Sequence, residues 1–170
     1  MTTIYYDSMP AYRVLGKTVL PLLRWRIRSI SGLENIPTEG GFIIAANHQS
    51  WIDSAILAGA MYRHLSKSLR FVAQSSKYRL FGGIPINEYD KSKVIDIAYG
   101  YITSGHPVAI FPEGNSNKNP ELRGGKTGAA RLALRSGAQL IPVGIQGTSG
   151  VKAWQALLWF FSFWRSCQVV

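Results

Sequence analysis

The chain of 170 residues carries 19 Lys or Arg against nine Asp or Glu, and its net charge of +10 at pH 7 predicts an anionic partner, either nucleic acid or an acidic membrane surface. Only 16% of the residues are charged whereas 12% are aromatic, which indicates a surface that contacts something apolar. The length fits one domain, and the single cysteine, Cys167, excludes an internal disulfide and is typical of a core position in a reducing compartment.

The first predicted element is a helix over residues 10–30, after an N-terminus without the pattern of a secretory signal. Pro21 is expected to kink or divide it. Residues 1–31 are predicted to form amphipathic, membrane-associating helices, because basic and apolar residues fall on opposite faces. Each Lys or Arg near an anionic surface contributes about 1 kcal/mol to membrane binding. The alternative is a helix docked on the domain with its basic face in water. The basic face holds Arg13, Lys17, Arg24 and Arg28, and the apolar face holds Leu15, Val19, Leu22 and Ile30.

Residues 32–170 are predicted to form one α/β domain, with a mixed, mostly parallel sheet flanked by helices. Pro85 argues for an edge position or a bulge in the third strand. The apolar stretch at 153–164 is too short to span a bilayer but could lie in one face of it. The last strand has only begun where the sequence stops, and one expectation is a domain truncated at its C-terminus. Strands are predicted at 42–46, 69–73, 81–86, 108–111, 139–146 and from Cys167, and helices at 50–62, 91–103 and 124–135.

The turn after the first strand of this domain holds a candidate catalytic pair. His48 follows a buried strand and precedes a helix, where open α/β sheets place their ligands. If Ser50 caps the helix, the carboxylate of Asp53 can reach back to His48. A His with an adjacent carboxylate is a general base, and it needs no serine or cysteine when the substrate brings the hydroxyl. Ser50 to Asp53 also matches a capping box, in which Asp53 serves only the helix end and His48 is an ordinary loop residue.

A second candidate follows the strand at 108–111, where the sequence reads Phe-Pro-Glu-Gly. Parallel strands end at the same edge of a sheet, so Glu113 is expected to face the same cleft as His48. The alternative is that Pro112 to Gly114 form an ordinary turn.

With Asn47-His48-Gln-Ser-Trp-Ile-Asp53 and Phe111-Pro-Glu-Gly114 in this order and spacing, the chain from residue 32 onward resembles the glycerolipid acyltransferase family, typified by 1-acylglycerol-3-phosphate acyltransferase. The resemblance implies transfer of a fatty acyl group from acyl-CoA or acyl carrier protein to a lysolipid hydroxyl, without a further cofactor. It implies that His48 is the base, that Asp53 orients its ring, and that Glu113 and Gly114 shape the acceptor site. The oxyanion then needs donors such as the backbone N–H groups of the turn that opens the helix.

The chain departs from the family where arginines usually grip a phosphate. Asn115 and Ser116 stand in place of a Thr-Arg pair, and Asn87-Glu88 stands in place of an arginine after the Gly-x-Ile-Pro stretch. These departures leave a phosphate-free lysolipid, including an aminolipid with a hydroxyl, as an alternative to a glycerol phosphate acceptor. Besides Asn115, candidates for binding the acceptor are Lys118, Arg123 and Lys126, with Lys91 as a further point charge; the alternative is that these cations are solvated surface charges.

Two functions from different classes are therefore consistent with the sequence. The first is an acyltransferase bound peripherally to the cytoplasmic face of an inner membrane or endomembrane, with a lysolipid, an acyl thioester and the membrane surface as partners. The second is a catalytically silent basic module that binds the membrane surface. Nucleic acid is not an expected partner, because the basic residues segregate with the terminal helix rather than interleaving with aromatics on strands. No metal site is predicted.

Overall fold

The computed structural model describes residues 10–117, 121, 123–149 and 167–170, so residues 1–9, Lys118 and the apolar stretch at 153–164 lie outside the described part. The helices are α1 (Pro10–Arg26), α2 (Asp53–Met61), α3 (Lys91–Thr103) and α4 (Gly128–Ser136), and short 3₁₀ helices cover Leu33–Asn35 and Ser76–Phe81. The strands are β1 (Ile27–Ile30), β2 (Ile43–Ala46), β3 (Arg70–Ala73), β4 (Gly83–Pro85), β5 (Val108–Ile110), β6 (Leu140–Val143), β7 (Ile145–Gln146) and β8 (Cys167–Val169).

Within the described residues, five strands form a parallel sheet in the order β4-β3-β5-β2-β6, which confirms the predicted α/β class. β2 and β5 are neighbours, with Ile43 opposite Val108, so the chain leaves both strands at the same edge of the sheet. β4 lies at an outer edge, as Pro85 predicted. The turn after β2 and the loop after β5 are therefore brought together by the topology.

The two faces of this sheet bury two separate sets of side chains. Ile43 and Ile44 are both fully buried, and they point to opposite faces because successive strand residues alternate. Ile44 packs in a cluster with α1 and with Ile56 of α2. Ile43 packs in a cluster with Val94 of α3 and Leu132 of α4. Helices thus cover both faces, which is what a parallel sheet requires.

A second, smaller sheet corrects two predictions. The N-terminal helix ends at Arg26, so its predicted continuation through residue 30 is wrong: Ile27–Ile30 forms β1, which pairs in parallel with β8, and β8 pairs antiparallel with β7. The partner of β1 lies at the far end of the sequence, where helical periodicity cannot reveal it. The predicted strand at 139–146 is divided between the two sheets as β6 and β7. Cys167 in β8 is fully buried, as expected, and burial raises the pKa of its thiol.

Two helices begin later than predicted, each after a non-helical segment. α2 begins at Asp53 rather than at Ser50, because the Ser50 carbonyl accepts from the N–H of Asp53, where an α-helix would use the N–H of residue 54. α4 begins at Gly128 rather than at residue 124, and the N–H of Lys126 donates to the loop after β5. In both places the chain forms a turn against the carboxyl edge of the sheet.

α1 runs through Pro21 without dividing and packs on α2 by one side only. Leu20 and Leu23 are buried there, and Gly59 allows the close approach, since a Cβ on it would lie 2.9 Å from Leu23 Cβ. Every helix in the described ranges falls short of the length and apolarity needed to cross a bilayer. The exposed sides of α1 carry the apolar residues Val14, Val19, Leu22 and Trp25 together with the basic residues Lys17 and Arg24.

Candidate active site

The turn between β2 and α2 holds the imidazole of His48 against a buried carboxylate. His48 Nδ1 lies 2.9 Å from Asp53 Oδ2, and because a carboxylate only accepts, Nδ1 carries the proton and donates it. Asp53 is fully buried, and the same Oδ2 also accepts from the backbone N–H groups of Gln49 and Ser50 at 2.7 Å each. One oxygen of Asp53 therefore contacts both the imidazole of His48 and the backbone N–H groups that precede α2. The contact expected of a catalytic pair and the contact expected of a capping box are both present.

The loop after β5 holds His48 from the other side. The backbone N–H of His48 donates to Glu113 Oε1 at 2.8 Å, and the His48 carbonyl accepts from the N–H of Asn117 at 2.6 Å. The ring of Phe111 stacks on the imidazole with centroids 4.3 Å apart and 23° between the planes. Glu113 is buried and does lie beside His48, but it contacts the backbone of the turn. The two sequence motifs are thus joined at the peptide groups of His48.

Asn47 ties the same turn to the second sheet, a contact that the sequence analysis did not anticipate. Its Nδ2 donates to the carbonyl of Ile145 at 2.9 Å, and the N–H of Ile145 donates to Asn47 Oδ1 at 2.6 Å. The side-chain amide bonds to β7 as a strand peptide would. An asparagine directly before the histidine was the available signal, but a partner 98 residues away could not be identified from it.

A cavity of about 660 Å³ is lined in part by His48. Its wall is mostly apolar and comes from α1, α2, β3 and the segment Ser76–Phe81, with Leu23, Ala58 and Phe71 among the contributors. Volume and lining suit a long apolar group. In the described part of the chain, no three His, Cys, Asp or Glu side chains gather in a way that would hold a metal ion.

The residues expected to bind an acceptor are not all at this cavity. Gly114 and Asn115 line it. The ammonium group of Lys126 lies against Gly114 in the same loop, so close that a Cβ on Gly114 would collide with it. Arg123 is exposed and is absent from the described cavity wall, and Lys118 lies outside the described residues.

The backbone N–H groups expected to receive an oxyanion are already engaged by carboxylates. The N–H of His48 donates to Glu113, and those of Gln49 and Ser50 donate to Asp53. Of the N–H groups in this turn, these three therefore already have carboxylate acceptors.

Comparison with known proteins agrees with this fold and identifies a family. The model of the family described as Acyltransferase matches residues 27–146, a range that contains both the turn with His48 and the loop with Glu113. The chain belongs to the acyltransferase family.

Several relatives carry the name 1-acyl-sn-glycerol-3-phosphate acyltransferase. One from Chlamydomonas reinhardtii is 28% identical over 136 residues, covering 72% of this chain and 40% of the relative. A chloroplastic one from Brassica napus is 28% identical over 130 residues, covering 72% of this chain and 38% of the relative. One from Bacillus subtilis is 26% identical over 130 residues, covering 70% and 62%. The chain thus spans about two fifths of the length of the first two relatives.

Among solved structures, the 1-acyl-sn-glycerophosphate (LPA) acyltransferase PlsC from Thermotoga maritima is similar to this chain. The TM-score is 0.61 at 18% sequence identity, with 98% of this chain and 72% of that chain covered. This likeness shows that the two chains share a fold.

Proposed function

We propose that this chain is an O-acyltransferase that moves a fatty acyl group from acyl-CoA or acyl carrier protein to a hydroxyl of a lysophospholipid or related lysolipid. The observation that carries the proposal is the imidazole of His48, whose Nδ1 is held by the buried Asp53 and which lines an apolar cavity. Membership of the family supports acyl transfer as the class of reaction. The names of the relatives support a lysolipid acceptor.

His48 acts as general base in the proposed reaction. As the acceptor oxygen bonds to the thioester carbonyl carbon, its proton passes to His48 Nε2 and the carbonyl oxygen becomes an oxyanion. The carbon–sulfur bond then breaks, the carbonyl re-forms as an ester, and the departing sulfur takes the proton from the imidazolium. General base catalysis of this kind contributes about 10²–10⁴-fold, and Asp53 supports it by holding the ring and stabilising its protonated form.

The cavity beside His48 takes the acyl chain of the donor. Leu20 and Leu23 of α1 form part of its wall. The small side chains of Ala55 and Ala58 of α2 and the ring of Phe71 line it as well. Each methylene buried in such a wall contributes about 0.8 kcal/mol, which supports a long-chain donor.

The acceptor binds at the loop that follows β5. Gly114 and Asn115 line the cavity there, and the Lys126 ammonium group lies against Gly114, where it supplies one positive charge for an anionic headgroup. After β4 the chain has Asn87 and Glu88 where the family usually has an arginine, and Glu88 forms an ion pair with Arg79. A lysine at the loop after β5, in place of paired arginines, supports a headgroup held by charge rather than by a bidentate hydrogen bond.

The chain also binds a membrane surface in this proposal, at the cytoplasmic face of an inner membrane or endomembrane. Leu22 and Trp25 on α1 are 51% and 68% exposed, and Lys17 and Arg24 on the same helix are exposed beside them. Val19 belongs both to this exposed apolar side and to the cavity wall, so a lipid reaches the cavity from the side that faces the membrane. An apolar side flanked by cations is typical of a helix that lies in the membrane interface.

The proposal is tested with His48→Ala and with His64→Gln as a matched control. The His64 ring contacts a backbone carbonyl, with Nε2 2.7 Å from Ile36 O, and His64 is absent from the described cavity wall. Thiol release from palmitoyl-CoA is measured with a panel of lysolipids, and products are identified by mass spectrometry. We expect turnover by the unchanged chain and by His64→Gln, and loss of 10²-fold or more with His48→Ala at unchanged circular dichroism.

Full activity of His48→Ala would refute the mechanism. Absence of turnover by the unchanged chain on every lysolipid, with binding to anionic vesicles, would instead favour the silent membrane-binding module.

A further inference from the structure

The proposed reaction needs a hydrogen-bond donor for the oxyanion. The structure limits which groups near His48 can serve as this donor. Removing one such donor typically slows an acyl-transfer enzyme by about 10²–10³-fold. The N–H groups of His48, Gln49 and Ser50 are excluded because carboxylates already accept from them. These three groups are therefore not free to donate to the oxyanion, and a side-chain donor on the cavity wall is the alternative.

A pair of side-chain amides lies on the cavity wall. Gln74 follows the last residue of β3 and Asn115 follows Gly114 in the loop after β5, and both line the cavity together with His48. Gln74 Nε2 donates to Asn115 Oδ1, and also to the carbonyl of Gly114 at 3.4 Å. β3 and β5 are neighbours in the sheet, so this contact joins two adjacent strand ends.

This contact fixes which way the amide of Asn115 faces. Because Oδ1 accepts from Gln74, the nitrogen of the same amide is directed away from Gln74. Asn115 is exposed to the cavity, and among the described residues its Nδ2 has no hydrogen-bond partner. An amide N–H₂ with its oxygen already satisfied is a donor held ready for a substrate oxygen.

We propose that Asn115 Nδ2 donates to the carbonyl oxygen of the acyl thioester and stabilises the oxyanion, and that Gln74 is the positioning residue that orients this amide. The inference rests on the proposed function and assigns a catalytic role to a residue otherwise expected only to bind the acceptor. No proton leaves Asn115: the oxyanion forms as the acceptor oxygen bonds to carbon, and it returns to a carbonyl as the carbon–sulfur bond breaks.

The test first uses turnover. Asn115→Ala removes the donor, and we expect kcat to fall by about 10²–10³-fold while the KM for the acyl donor changes by less than about threefold. Gln74→Glu replaces the donor to Oδ1 by an acceptor, which draws Asn115 Nδ2 toward residue 74, so it should lower kcat to a similar extent. Asn35→Ala, an exposed asparagine outside the described cavity wall, is the matched control and should retain kcat.

A second measurement observes the carbonyl without turnover. Palmitoyl-CoA labelled with carbon-13 at its carbonyl is bound to the His48→Ala variant, in which the donor persists, and the carbonyl stretch is recorded by isotope-edited infrared spectroscopy. A hydrogen bond from Asn115 lowers this frequency. We expect the lowering to disappear in His48→Ala/Asn115→Ala and in His48→Ala/Gln74→Glu, and to persist in His48→Ala/Asn35→Ala.

The outcomes separate this inference from the proposed function. Turnover by the unchanged chain with kcat of Asn115→Ala within threefold of it, or a carbonyl frequency insensitive to residue 115, would overturn the role of Asn115 and leave the His48 mechanism standing. No turnover by the unchanged chain would overturn both.

Discussion

Two histidines lie at opposite edges of the same parallel sheet and differ in their hydrogen-bond partners and in their access to the cavity. His48 follows β2 at the carboxyl edge, where its Nδ1 donates to the buried carboxylate of Asp53 and the ring lines a cavity. His106 precedes β5 at the amino edge, where its Nδ1 lies 3.2 Å from the carbonyl of Ser68 and its ring meets the edge of Tyr101. His106 is buried and absent from the described cavity wall.

In the proposed mechanism, the surroundings of an imidazole, and not the residue type alone, make it a general base. A backbone carbonyl holds an imidazole in place but does not offset the positive charge that a base acquires, whereas a carboxylate does both. The cavity supplies the second requirement, which is access of a substrate to the other ring nitrogen. Substitutions at four positions test this comparison, from the largest expected effect to the smallest.

Removing the charge on Asp53 tests the carboxylate itself. In Asp53→Asn the amide oxygen can take the place of Oδ2 and still accept from His48, Gln49 and Ser50, but it carries no charge to offset the imidazolium that a base forms. We expect kcat to fall on the order of 10⁴-fold, the loss that this change causes in a Ser-His-Asp triad. The measurement is kcat together with the nitrogen NMR signals of the imidazole. Full kcat in this variant would show that Asp53 serves only the helix start.

Removing the amide of Asn47 tests whether the turn that carries His48 is held by the second sheet. Asn47→Ala leaves the N–H and carbonyl of Ile145 without their side-chain partner, which costs about 1–3 kcal/mol of unfolding free energy. A displaced turn should also lower kcat by about 10- to 100-fold, because small misplacements of catalytic groups are costly. Urea unfolding and steady-state kinetics check both effects. Normal kcat in a destabilised variant would show that the contact holds the fold but does not position His48.

Changing His106 tests the other edge of the sheet. His106→Phe keeps a ring against Tyr101 but leaves the carbonyl of Ser68 without this partner, and we expect a loss of about 1–2 kcal/mol in unfolding free energy. The kcat per folded molecule should stay unchanged. A fall in kcat measured on the folded fraction would contradict the division between the two edges.

A pair of aspartates at helix starts allows a finer comparison. Asp53 is buried, whereas Asp90 is exposed at the start of α3, where hydrogen bonds from the Ser92 hydroxyl and the Lys93 N–H lower the pKa of its carboxyl below the ordinary value of 3.8. A lowered pKa in the folded state stabilises the protein above that ordinary value and ceases to do so as the pH falls through the lowered pKa.

Asp90→Asn keeps an oxygen for the cap and removes this pH dependence. We expect a small change in Tm at pH 7 that narrows as the pH is lowered below 3.8, with kcat unaffected. Thermal unfolding of both chains across this pH range is the measurement. A difference in Tm that widens toward acid would contradict the assignment.

The sequence predicted the parallel sheet and the meeting of its two motifs because both follow from local patterns. Buried runs separated by helical segments lead to parallel strands, and parallel strands bring Asp53, His48 and Glu113 to one edge. It did not predict that Glu113 holds the backbone of His48, that Asn47 bonds to β7, or that α1 turns Leu22 to the exposed side. Each of these depends on a partner distant in sequence.

By itself, the sequence determined the class of fold, the family and the identity of the imidazole and its carboxylate, since these rest on periodicity and on short motifs with defined spacing. Tertiary structure alone decided that the N–H of His48 bonds to Glu113, that the amide of Asn115 faces the cavity and which side of α1 is left exposed. The physical reason is that a hydrogen-bond donor satisfies one partner at a time. Competition among partners is settled only when segments far apart in the sequence are packed together.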